Sequence, residues 1–181
     1  MHNRPGSLFL NIGLALTAIA PAAAQDWPNF RGPKHDGISP EKGMKTDWND
    51  KVNVVWERSV GASFSGLSCV NGRVYTCGTA DGQQTALCLD ASDGKVIWQK
   101  PFEKEYIERQ GGDGARSTPT VDDGRVYLMS ARGKLMCLSA DDGSEIWTTQ
   151  YNDIPQWGYS GSVLIEGDMA IALVGGNSGS M

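Results

Sequence analysis

Histidine is almost missing from the 181 residues, with only His2 and His35 present. The four cysteines, Cys69, Cys77, Cys88 and Cys137, include no adjacent pair and no C-x-x-C spacing. The usual zinc spacings therefore cannot be assembled, and Ser65, Ser117 and Ser160 have no neighbouring base for a serine triad. No metal site and no catalytic residue is expected in this segment. Basic charge is scarce too, with 16 Lys and Arg against 21 Asp and Glu and a formal charge of −5. The positive field that would hold a phosphate backbone is missing, so nucleic acid is not an expected partner. No stretch shows the 3.6-residue apolar period of a helical solenoid. Proline is sparse at 8 residues while glycine reaches 23, a balance that points to many tight turns between short strands.

The one long apolar run, Leu8 to Ala20, follows Arg4 and leads into Pro21-Ala22-Ala23-Ala24. It falls short of the roughly 20 apolar residues that a membrane helix needs, and its small-residue ending reads as a signal peptide over 1–24, cleaved after Ala24. The mature chain is expected to be periplasmic or secreted, without a membrane span. The first cysteine is Cys69, so none stands at the end of the leader where a lipoprotein would be acylated. Export permits disulfides without requiring them. Cys88 and Cys137 are expected to stay buried and reduced, as small apolar groups. Cys69 and Cys77 fall out of register across the first hairpin.

The chain repeats itself. Leu87-Cys88-Leu89-Asp90-Ala91-Ser92-Asp93-Gly94-Lys95-Val96-Ile97-Trp98 returns 49 positions later, from Met136 to Trp147. A second element occurs three times: Ser65 to Cys77 around Asn71-Gly72, Ser117 to Met129 around Asp123-Gly124, and Ser160 to Ala172 around Glu166-Gly167. Such dipeptides between β-rich runs favour two-residue hairpin turns. One unit then reads as four antiparallel strands, at roughly 65–70, 73–78, 85–90 and 95–99, and again at roughly 117–121, 125–130, 134–139 and 144–149. A unit of about 45 residues with four strands has the size of a propeller blade.

The expected fold class is all-β: a β-propeller of four-stranded antiparallel blades, present as an incomplete segment of about two and a half blades. Residues 25–51 form a lead-in. Residues 52–181 form the partial propeller, with a closing strand at 52–58 that carries Trp56, blade 1 at about 65–99, blade 2 at about 117–149 and a partial blade 3 at 160–181.

These residues resemble the pyrroloquinoline-quinone-like β-propeller repeat family, whose unit follows Ala-Leu-Asp-Ala-x-x-Gly-x-x-x-Trp. Cys88-Leu89-Asp90-Ala91 through Trp98 follows it with cysteine at the first alanine, and Cys137-Leu138-Ser139-Ala140 through Trp147 departs further. Asp26-Trp27-Pro28-Asn29-Phe30-Arg31-Gly32-Pro33 with Gly37-Ile38-Ser39 looks like the lead-in of exported bacterial members. The family includes quinoprotein dehydrogenases and non-enzymatic scaffolds of outer-membrane barrel assembly, so membership does not choose a function. The vicinal cysteine pair typical of the alcohol dehydrogenases is missing here.

In a propeller, the loop leading into each innermost strand lies beside the central channel on one face. Phe64, Arg116 and Tyr159 are accordingly the channel-face candidates for binding, with Arg116 able to grip a carboxylate through paired hydrogen bonds. The leading loops differ in length, and the longest, Glu103 to Gly114, mixes charges and reads as flexible at its end. Insertions on one face often mark the binding side. The expected function is an exported scaffold for binding or assembly, with a protein or small-molecule ligand on the loop face and no cofactor in this segment. The alternative is the N-terminal part of a quinoprotein dehydrogenase using pyrroloquinoline quinone with calcium.

Overall fold

The computed structural model describes residues 25–45, 47–48 and 52–175; the expected leader at 1–24 lies outside them. Ten strands follow in chain order: β1 (Ser68–Val70), β2 (Arg73–Ala80), β3 (Gln83–Asp90), β4 (Val96–Lys104), β5 (Thr120–Asp122), β6 (Arg125–Met129), β7 (Lys134–Ser139), β8 (Glu145–Gln150), β9 (Leu164–Glu166) and β10 (Met169–Ile171). They form two four-stranded antiparallel sheets, β1-β2-β3-β4 and β5-β6-β7-β8, and a two-stranded hairpin, β9-β10. These are two complete blades and the start of a third.

Local chemistry sets the turns. Asn71 and Gly72, like Asp123 and Gly124, both have positive φ, as a type I′ hairpin turn requires. The third turn falls one residue later than the sequence pattern suggested. Glu166 pairs with Met169, so Gly167 and Asp168 make the turn. Only Gly167 has positive φ there, the pattern of a type II′ turn, which takes glycine at its first position and spares Glu166 the left-handed region.

Both blades carry a bulge at the same place. Cys88 pairs with Trp98 while Leu89 pairs with Val96, and Cys137 pairs with Trp147 while Leu138 pairs with Glu145. One isoleucine, Ile97 or Ile146, is thereby left without a partner in the ladder. Side chains alternate between sheet faces, so each blade packs in both directions. Tyr75, Cys77, Ala86, Cys88 and Trp98 of blade 1 meet Val126, Leu128, Met136 and Leu138 of blade 2. Tyr127, Met129, Leu135 and Cys137 on the other face of blade 2 meet Val163, Ile165 and Ala170 of the third unit.

The repeated tryptophan is a dock between blades. Trp98 Nε1 donates to Ala140 O at 3.0 Å, and its ring lies over Gly143, where a Cβ would come within 2.7 Å of it. Trp56 does the same one blade earlier, donating to Ala91 O at 2.9 Å and covering Gly94. Segment 52–58 belongs to no ladder in the described residues, yet its tryptophan sits where the outer strand of a preceding blade would place it.

The lead-in crosses the inner edges of the blades. Trp27 and Cys69 exchange backbone hydrogen bonds at 2.7 and 2.8 Å, and Val121 N donates to Pro28 O at 2.8 Å. Asp26 Oδ1 accepts from Asn71 N at the first hairpin turn. Asn29, Phe30, Arg31 and His35 then line a groove with residues 161–164 of the third unit. One short segment thus spans β1, β5 and β9 at the hairpin-turn end, opposite the leading loops.

All four cysteines are free, and Cys77, Cys88 and Cys137 are buried. Cys69 stands opposite Val74, out of register with Cys77. Burial pushes the Cys77 thiol up to about 12 and the Cys88 thiol up to about 11. In the native protein, thiol reagent is expected to modify Cys69 first and the other three only on unfolding, which stopped-flow labelling checks. Because the folded values are raised, both states keep these protons at neutral pH. From about pH 9 the unfolded chain begins to release them while the folded chain does not. Stability should therefore fall between pH 9 and about 12, measured by denaturant titration in a pH series.

Candidate functional site

The leading segments of blades 1 and 2 are tied together before their inner strands begin. Ser63 and Ala115 form a parallel bridge, and Phe64 N donates to Ala115 O at 2.7 Å. Phe64 and Arg116 therefore meet across the blade boundary, with the guanidinium carbon 5.2 Å from the centre of the Phe64 ring. A second ring, Tyr106, lies at the same 5.2 Å. A cation over an aromatic face is attracted by the ring quadrupole, and more so where water is excluded.

Loop 105–116 is stitched down at the position where the sequence suggested flexibility. Gly114 N donates to Tyr106 O at 2.9 Å and Gly112 N to Glu108 O at 3.1 Å. Glu108 N donates to Asp113 Oδ1 at 2.7 Å, and Arg116 Nη2 donates to Gly112 O at 2.6 Å. The Glu108 carboxylate accepts the backbone N–H groups of Gln110 and Gly111. Those bonds, and then the charge of Arg116, hold its carboxyl below the ordinary range. The next loop is laced to this one: Tyr106 OH donates to Gln156 O at 3.1 Å and Trp157 Nε1 to Gln110 Oε1 at 3.3 Å. Phe64 and Trp157 stay 58% and 54% exposed.

Of the three expected channel-face residues, the structure brings Phe64 and Arg116 together and sets Tyr159 apart. Bonds between units fix the equivalence: Gly66 N donates to Thr118 Oγ1, and Thr118 N to Ser162 Oγ. Gly66, Thr118 and Ser162 are thus counterparts, which makes Ser160 the counterpart of Phe64 and Arg116. Tyr159 falls one position short and is buried in the second core, its hydroxyl donating to Asp153 O at 2.7 Å. The slip arose from taking Ser160 as the equivalent of Ser65 and Ser117, a position that Gly161 fills. Ser117 Oγ donates to Met129 O at 2.6 Å, and Ser65 Oγ accepts from Cys77 N at 3.2 Å, so both hydroxyls serve the backbone. Sequence reasoning missed Tyr106 and Trp157, although a tryptophan outside the repeated position is a signal that could have found the latter.

The family model described as outer membrane protein assembly factor BamB matches residues 47–180. The chain belongs to this family. It is similar to the BamB of Yersinia pestis, 28% identical over 137 residues that cover 75% of this chain and 31% of that protein. Among solved structures, BamB from Moraxella catarrhalis matches with a TM-score of 0.52 at 15% identity, over 70% of this chain and 37% of that one. Quinohemoprotein alcohol dehydrogenase from Comamonas testosteroni matches with a TM-score of 0.61 at 18% identity, over 86% of this chain and 24% of that one. The structural likenesses show the propeller fold alone. The chain spans less than a third of the length of the curated relatives it matches.

Proposed function

We propose that this chain is part of an exported propeller scaffold that works in the assembly of outer-membrane proteins. The observation that carries the reading is the sequence kinship with assembly factors of that name at 27–28% identity. It is supported by the economy of the repeat, in which the recurring residues serve turns, docks and blade packing. In this reading 52–58 is the closing strand of the ring, the mature protein is periplasmic, and the loop face meets a protein partner.

The dehydrogenase reading needs a quinone held with calcium. Among the described residues no three His, Cys, Asp or Glu side chains converge as a metal site, so in that reading the calcium ligands would come from other blades. The experiment uses the full-length protein in its host. Its loss is expected to lower the amount of folded β-barrel protein in the outer membrane, scored by heat-modifiable electrophoretic mobility. Unchanged barrel levels, together with dye reduction by the purified protein on adding pyrroloquinoline quinone, calcium and an alcohol or sugar, would overturn the proposal.

A further inference from the structure

Arg116 holds a hydrogen-bond donor that the protein does not use. Among the described residues its Nε is the one buried side-chain nitrogen or oxygen without a hydrogen-bond partner. Buried polar atoms are satisfied in the great majority of cases, and an orphan calls for a missing acceptor. The ion pairs among the described residues are Arg73 with Asp141 and Lys95 with Asp93, so no carboxylate lies within ion-pair distance of Arg116. The nearest candidate, Glu108, has turned its oxygens to the backbone of its own loop.

Geometry narrows the acceptor. One guanidinium nitrogen is fixed on Gly112 O, and Phe64 and Tyr106 flank the plane. Nε shares an edge with Nη2, which keeps a second N–H beyond the one given to Gly112 O, and the two N–H groups can form a fork that matches the two oxygens of a carboxylate. Both oxygens of a carboxylate can lie in the plane of that fork with no further oxygen to fit against the rings, unlike a tetrahedral anion. Tyr106 is buried and tied to Gln156, whereas Phe64 is exposed, so Phe64 is the side that can swing to admit a ligand. Exposed Trp157, anchored on Gln110, supplies an apolar surface on the adjoining loop.

We infer that Arg116, between Phe64 and Tyr106, is a binding site for a carboxylate attached to an apolar or aromatic group. The inference goes beyond the scaffold reading and holds whether or not the protein serves barrel assembly. The carboxylate can come from a free small acid or from the C-terminus of a polypeptide.

The test titrates the full chain with N-acetylphenylalanine and with its amide, followed by ligand-observed NMR. A second pair, a tetrapeptide ending in phenylalanine with a free or an amidated C-terminus, separates the two sources: comparable binding of both acids indicates a general acid site, and tighter binding of the peptide acid indicates a polypeptide end. Each acid is expected to bind at least tenfold more tightly than its amide, and inorganic phosphate is expected not to compete. Arg116→Gln should abolish the difference, Arg116→Lys should weaken acid binding about tenfold by removing the fork, and Arg109→Gln should leave it unchanged. Equal binding of acid and amide, competition by phosphate, or no binding of either acid at millimolar concentration would overturn the inference. The acid and amide comparison needs no variant, so a misfolded Arg116→Gln protein would not blunt it.

Discussion

Trp98→Ala is expected to destabilise the protein by about 3–5 kcal/mol, the range for removing a buried tryptophan. The side chain is 7% exposed and stacks at a tilt on Tyr75, ring centres 6.1 Å apart. Truncation would empty the contact over Gly143 and remove one of the two hydrogen bonds to Ala140 O, which keeps Arg73 Nη1 at 2.9 Å, so the lost bond itself adds no more than about 1 kcal/mol. Trp147 is the internal control. It holds the same 6.1 Å tilted pairing, with Tyr127, but is 37% exposed, and no turn among the described residues takes the place that Ala140 and Gly143 have over Trp98. Its replacement by alanine should cost only about 2–3 kcal/mol, in proportion to the smaller buried area. Guanidinium titrations of both variants give the comparison, and Trp98→Phe separates the hydrogen bond from the ring. A Trp98→Ala loss no larger than that of Trp147→Ala would show that the dock does not hold the blades together.

The blade was legible because its signals are local. Asn71-Gly72 and Asp123-Gly124 announce turns whatever surrounds them, and the repeated tryptophan marks each outer strand. What misled was chemistry whose meaning depends on a neighbour. The fourth strand, expected at roughly 95–99, runs on to Lys104 with Pro101 opposite Thr85. As the outermost strand of its sheet, β4 has one side with no ladder to lose, and there proline is tolerated. Tyr159 was misplaced because serines were aligned where the third unit substitutes glycine. The meeting of Phe64 with Arg116 joins side chains 52 positions apart, and only the ring-like arrangement of the blades places them on the same face. The orphaned Nε of Arg116 was beyond sequence reasoning altogether, since it depends on what Gly112 and Glu108 do with their own polar groups.

Gly78 carries the second large effect, and the sequence did contain its signal, a glycine inside a strand marking a close backbone approach. The second half of β2 has no partner in β1 and is met instead by the segment leading into it. Thr79 N donates to Val60 O at 2.9 Å, Ser63 Oγ donates to Cys77 O at 2.6 Å and Thr79 Oγ1 to Ala62 O at 2.8 Å. A Cβ on Gly78 would fall on Val60 O, and one on Gly61 would fall on Thr79 O. Both obstacles are backbone, so neither can turn aside as a side chain could. Gly78→Ala must push residues 60–63 off the strand and break those bonds, an expected loss of about 3 kcal/mol or more, in the range reserved for broken buried networks. Gly61→Ala adds the strain of its positive φ, about 1 kcal/mol further. Gly161→Ala, with open space around its Cβ, should stay within about 0.5 kcal/mol of the parent. Phe64 follows directly on this segment, so the Gly78 variant should also lose amide protection at Phe64, whose N–H is bonded to Ala115 O, while the amides of β6 and β7 keep theirs. Hydrogen exchange read residue by residue decides it: protection at Phe64 that survives in Gly78→Ala would mean that the β2 contact does not position the loop face.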